Sequence, residues 1–191
     1  LEKIAEQGVP NYFGEQRFGR NGNNLNMAQA LLVEGKRFHK ADHSMAISAA
    51  RSYVFNQVLD QRIRAGLFNR VQVGDALMLD KTKSLFVAQN DELETLQQRL
   101  DSADCHTSCV MPGSGRSVAT DSALSWELEQ LESYADWLQG LENLRVSASR
   151  RAARLMPEDF NWQLEGEKLL LEFKLPTGAY ATSVLREFLS Y

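Results

Sequence analysis

Cysteine is scarce in this 191-residue chain: Cys105 and Cys109 are the two present, four apart around His106. Two thiolates and one imidazole fall one ligand short of a tetrahedral zinc site, which argues against a structural metal. Long apolar runs are missing too. Stretches such as Leu169-Leu170-Leu171 and Met27 to Val33 are far below the roughly 20 residues that a membrane span requires. The opening LEKIAEQ lacks the basic start and apolar centre of a secretory leader and reads as the end of an amphipathic helix. The chain is therefore expected to begin mid-protein and to work in a reducing cytoplasm. Low-complexity tracts and internal repeats are absent, and 43% hydrophobic with 24% charged residues argues against disorder as the default state.

Familiar catalytic signatures are equally sparse. Ser114, in Pro112-Gly113-Ser114-Gly115, lacks the spacing of a nucleophile elbow and reads as a turn residue. His39 and His43 are spaced to share a helix face, but no third ligand follows. Gly19 to Gly22 has the look of an anion-binding turn ahead of a helix, yet it matches neither the Walker nor the dinucleotide pattern. A bare turn explains it equally well.

What is present is an uneven distribution of charge. The net charge of -4 argues weakly against a nucleic-acid partner, but residues 1–75 carry ten Lys and Arg against seven Asp and Glu, and residues 76–191 carry eleven against eighteen. Between Arg17 and Arg70, nine basic residues meet three acidic ones. A local excess of this kind can hold phosphates whatever the total charge. Solvated helix faces are the plainer alternative.

The hydrophobic pattern predicts a helix over Leu25 to Glu34, capped by Asn24 and stopped by Gly35, and a long one from Ser44 to Ala65 with Ile47, Ala50, Val54 and Val58 on one face. Short apolar runs at Val71 to Val73, Ala76 to Leu79, Leu85 to Val87 and Thr107 to Met111 read as strands. Helices are expected from Asn90 to Leu100, from Ser122 to Leu138 with Asp121 as cap, and from Arg145 to Leu155 as a basic helix. After Pro157 the alternation at Asn161 to Leu164 and Lys168 to Leu175 predicts a hairpin, and Tyr180 to Leu189 a last helix. Helices and strands without regular βαβ alternation give an α+β fold.

Residues 8–24 are too rich in glycine and asparagine for a long element and read as an ordered loop with a short helical turn. Within it, Tyr12, Phe13 and Phe18 interleave with Asn11, Arg17 and Arg20. Aromatic faces beside guanidinium groups are what unstacked RNA bases and their phosphates require. A local core pinning an irregular loop accounts for the same rings.

The run GVPNYFGEQRFG (Gly8 to Gly19), followed by Asn21 to Leu25, resembles the signature of the TruD family of tRNA pseudouridine synthases. The similarity continues in order through SAARSYVFNQVLDQR (Ser48 to Arg62), GDALML (Gly74 to Leu79), the PGSG turn and LPTGAYATSVLRE (Leu175 to Glu187). The resemblance implies a TruD-specific insertion domain over residues 8–155, with 1–7 and 156–191 belonging to a pseudouridine-synthase catalytic domain. It implies an isomerase that acts on uridine in tRNA, by family inference at position 13, with no cofactor. The N1–C1′ bond breaks, the uracil rotates, and C5 bonds to C1′. Such an enzyme must take the base out of its stack.

The family's catalytic aspartate lies in a Gly-x-Lys-Asp-type motif upstream of GVPNYFG, and no such motif occurs here. Asp75, in GDAL, reads as a turn residue. No catalytic residue is assigned: the aspartate is expected in an N-terminal part of the same protein, a partner alongside tRNA, and this chain alone is expected to be inactive. Tyr180 matches the family position where an aromatic ring, usually phenylalanine, lines the uridine pocket; the tyrosine keeps the π-face and adds a hydroxyl. Arg186 is expected to pair with the absent aspartate, with RNA, or in a plain surface salt bridge with Glu187 or another carboxylate. Asn11 and Phe13 are assigned to the substrate side, and Arg17, Arg20, Arg51 and Arg62 to the RNA backbone. The alternatives are an RNA-binding module without chemistry and a purely structural interaction domain.

Overall fold

The computed structural model describes residues 1–189; residues 190 and 191, the end of the expected catalytic-domain return, lie outside the described residues. Its chain order is α1 (Glu2–Gln7), β1 (Val9–Pro10), α2 (Asn23–Leu32), α3 (Lys40–Arg64), β2 (Ala76–Leu79), β3 (Leu85–Val87), α4 (Leu93–Asp101) and β4 (Cys105–Met111). There follow α5 (Asp121–Leu131), α6 (Ala135–Asn143), β5 (Ser149–Ala152), β6 (Arg154–Leu155), β7 (Glu158–Glu165), β8 (Lys168–Lys174) and α7 (Ala181–Leu185). The fold is α+β, as the mixture of patterns predicts. No helix among the described residues is long and apolar enough to cross a membrane.

The apolar stripe of α3 organises the molecule. Val54, Phe55, Val58 and Leu59 are fully buried and meet Tyr12, Phe13, Cys109 and Leu131 in one cluster. Truncating a buried aromatic such as Phe55 costs about 3–5 kcal/mol, through lost transfer energy and the cavity left behind. The other end of α3, with Ala46 and Ala50, packs against Ala28, Leu31 and Leu32 of α2 and Leu141 of α6. Gly140 of α6 lies so close to Leu32 that a Cβ there would collide with the Leu32 carbonyl. The glycine is a packing requirement that overrides its poor helix propensity.

A four-stranded antiparallel sheet, in order β3-β2-β4-β5, packs against α3 through β4. Its other cluster joins Leu77 and Cys105 to Leu96 and Leu100 of α4. A separate cluster is built only from the two ends of the chain: Ile4, Val9, Leu155 and Val184, with Phe160, Phe173 and Leu175 beside them. There β1 pairs antiparallel with β6, Val9 opposite Leu155. The path into the helical body and the path out of it therefore lie side by side.

Several local expectations need correction. The segment Arg145 to Leu155 is not a helix but strands β5 and β6, with Ser108 to Met111 opposite Ala152 to Ser149. Asn24 sits inside α2 and donates to the Arg17 carbonyl, while Gly22 occupies the cap position. Thr120, not Asp121, precedes α5, and the single predicted helix there breaks at a 3-10 turn over Glu132–Tyr134 before continuing to Asn143. Val71 to Val73 forms no strand. The last helix is short, ending at Leu185.

Candidate functional site

The loop before Gly14 is fixed by polar contacts along its backbone. Asn11 is buried; its backbone N–H donates to Ala153 and its side chain to Ala152. Asn56, on α3, grips Phe13 by donating to its carbonyl and accepting from its N–H, both at 2.9 Å. Such a pair satisfies the backbone where no ladder exists. The Phe13 ring meets Phe55 edge-on at 5.5 Å and Tyr180 at 5.9 Å. Residues 167 apart in sequence thus form one aromatic pair.

Gly14 explains how closely the two segments approach: a Cβ there would stand 2.8 Å from both the Tyr180 ring and the Thr182 hydroxyl. Ser183 donates to the Tyr12 carbonyl at 2.7 Å across the same seam. Arg17 reaches over it, its Nε donating to the Tyr180 hydroxyl and its Nη1 to Ser48, both at 2.9 Å. The hydroxyl by which Tyr180 differs from phenylalanine therefore has a specific partner. Beside these groups opens a cavity of about 650 Å³, walled by Phe13, Gly14, Phe18, Asn56, Thr182 and Arg186 among others.

Arg186 stacks on the Tyr12 ring at 4.8 Å and forms no ion pair with Glu187 among the described residues. Burial, reinforced by the neighbouring Asp60 carboxylate, pushes the Tyr12 phenol up to about 12. Tyr12 is therefore neutral at ordinary pH, its hydroxyl directed at Asp60 at 3.5 Å. Arg20 is exposed at the turn preceding α2.

Two of the expected phosphate contacts are corrected by the geometry. Arg62 is only 2% exposed and makes a two-point ion pair with Asp75 while also donating to the carbonyls of Leu67 and Arg70. Its buried carboxylate partner comes from the turn before β2, which residue spacing along the helix does not reveal. Asp75 serves that turn as well, accepting from the Gln72 N–H. Arg51 donates to the carbonyls of Met111, Pro112 and Ser147 and to the Ser149 hydroxyl, so it ties α3 to the end of β4 and the start of β5. Among the described residues, no group of three or more His, Cys, Asp or Glu is placed to hold a metal.

The family model for tRNA pseudouridine synthase D (TruD) matches residues 36–188. The tRNA pseudouridine synthase D of Aeromonas hydrophila is 44% identical over 190 residues, covering 99% of this chain and 53% of its own length. That of Legionella pneumophila is 38% identical, covering all of this chain and 57% of its own. The chain belongs to the TruD family. It spans about half the length of the curated relatives it matches. A crystal structure of a TruD protein from Methanosarcina mazei superposes with a TM-score of 0.71 at 20% identity, over 98% of this chain and 62% of that one. That likeness shows the fold.

Sequence reasoning missed Arg151, Asn56, Ser48 and Ser183 at this candidate site. Arg151 was hidden by the misread helix. On a strand, Arg150 and Arg151 point to opposite faces: Arg150 pairs with the buried Glu127, and Arg151 lies over Phe13 at 4.1 Å. The local sequence carries no alternation that would have signalled this; the strand state comes from pairing with β4.

Proposed function

We propose that this chain is the substrate-holding half of a tRNA pseudouridine synthase, supplying the stacking rings and cationic rim of a uridine pocket. The convergence of Phe13, Tyr180 and Arg17 beside an open cavity carries this reading. A flipped uracil stacks on the half-buried Tyr180 ring, which the buried Phe13 backs edge-on, and Arg186 in the cavity wall, with Arg17 and the exposed Arg20 beyond, attracts the flanking phosphates. Its partners are tRNA, with uridine 13 as the target, and the remainder of the polypeptide, which brings the catalytic aspartate. Its place of work is the cytoplasm.

The pairing of β1 with β6, and an apolar cluster drawn only from the two chain ends, support residues 8–155 as an insertion domain flanked by catalytic-domain segments 1–7 and 156–191. The test compares this chain with the full-length protein in a tritium-release assay on uridine-labelled tRNA. Release by the full-length protein alone is the expected result. Turnover by this chain alone would refute the division of labour. Filter binding at increasing salt adds a second check, because phosphate contacts give affinities that fall steeply as salt rises. A salt-independent affinity would remove the arginine rim from the reading.

The competing reading, an RNA-binding module without chemistry, is favoured by one observation. Among the described residues, the cavity wall contains a single carboxylate, the exposed Glu15. Full-length protein that binds tRNA and never releases tritium would establish it.

A further inference from the structure

We propose that Arg151 is the positioning residue of the aromatic pair: it holds Asn11 and Gly178 at once and thereby sets how Phe13 and Tyr180 face the bound base. The inference rests on the function proposed above. Arg151 Nε donates to the Asn11 carbonyl at 3.2 Å and Nη2 to the Asn11 side-chain oxygen, while Nη1 donates to the Gly178 carbonyl at 3.1 Å. Asn11 is two residues before Phe13, and Gly178 is two before Tyr180. Each loop that carries a ring is gripped by the same guanidinium.

The arrangement needs arginine specifically. The planar fork lets three N–H groups reach two loops while its face lies on the Phe13 ring, 4.1 Å from the centroid, with Phe55 at 5.6 Å. A lysine ammonium, a point donor on a flexible stem, cannot span both carbonyls and stack. No carboxylate pairs with Arg151 among the described residues, unlike its neighbour Arg150. Burial and the nearby Arg17 lower its pKa to about 10, so it remains charged at neutral pH. A cation kept half-buried without a carboxylate would be a costly choice for stability alone. It is consistent with a group whose task is orientation beside an anionic substrate.

The experiment uses full-length protein with Arg151→Lys, and Arg151→Met where that variant folds. For R151K the expected single-turnover rate of pseudouridine formation at saturating tRNA falls about 10- to 100-fold, the range that a displacement of about 1 Å produces. Affinity for tRNA changes by less than about threefold, because the loss is confined to the chemical step. Fluorine NMR of fluorotyrosine-labelled protein, with the Tyr180 signal assigned from Tyr180→Phe, reads the ring directly. The Tyr180 resonance shifts or broadens in R151K. An unmoved resonance, or a wild-type rate, would overturn the positioning role. A wild type inactive on tRNA whose Tyr180 resonance still moves in R151K would overturn the proposed function and leave the clasp standing.

Discussion

Asn56 fixes Phe13 by its backbone, which leaves the ring free to be placed by what packs on it. Removing the amide with Asn56→Ala loses two hydrogen bonds and leaves a backbone N–H and C=O to find water. At about 1 kcal/mol per net hydrogen bond, the expected destabilisation is about 2 kcal/mol, measured by urea unfolding. A loss within about 0.5 kcal/mol of zero, the usual range for unconstrained surface changes, would mean the clamp is incidental. Tyr180 is the complementary case. Tyr180→Phe installs the ring usual in the family and takes away the acceptor of Arg17 Nε. The expected result is a stability loss of about 1 kcal/mol with pseudouridine formation by full-length protein kept within about threefold, since the π-face is unchanged. A collapse of the rate would assign the hydroxyl a chemical role instead.

The long helix α3 is legible in the sequence because Ala50, Val54 and Val58 repeat at helical spacing and end at Gly66. Its first turn, from Lys40, was not legible because none of residues 40–43 is fully buried and they present no apolar stripe. Strands β5 and β6 were illegible for a different reason. The segment Ser-Ala-Ser-Arg-Arg-Ala-Ala-Arg-Leu has helix-favouring composition, and its strand state comes from pairing with β4 and β1, contacts more than 35 residues away. Phe13 could be named from the interleaving of aromatic and basic residues in its loop and Tyr180 from the family resemblance, whereas the arginine that joins their loops is found only in three dimensions. The same blindness to tertiary partners misassigned Arg62. That pair joins the end of α3 to the turn before β2, with both side chains 3% exposed. Asp75→Asn leaves the guanidinium buried without its counter-charge, an expected cost of about 3–5 kcal/mol. Chemical denaturation showing less than about 1 kcal/mol, the value of a surface pair, would contradict it.

At the scale of the whole molecule, pH sensitivity follows from one buried imidazole at the meeting of sheet and chain ends. His106 Nδ1 accepts from Arg154 Nε at 3.1 Å, and its Nε2 faces Asp80 at 2.9 Å. Arg154 in turn donates to the carbonyls of Leu100 and Cys105, and it lies in β6, beside the β1 pairing. An Nδ1 that accepts from a guanidinium carries no proton, so the fold selects the neutral ring with its hydrogen on Nε2 directed at Asp80. Burial lowers the His106 pKa from 6.5, the nearby Arg154 adds to the lowering, and Asp80 opposes it. Because the folded value lies below the unfolded one, the contribution to stability is complete above about pH 6.5. It is lost as pH falls from there to the folded value, where the unfolded state binds the additional proton. His106→Gln keeps an acceptor for Arg154 and a donor for Asp80 but does not titrate. Urea midpoints measured between about pH 7.5 and 5 are expected to fall more steeply for wild type than for H106Q, and identical slopes would show that another group governs the acid response.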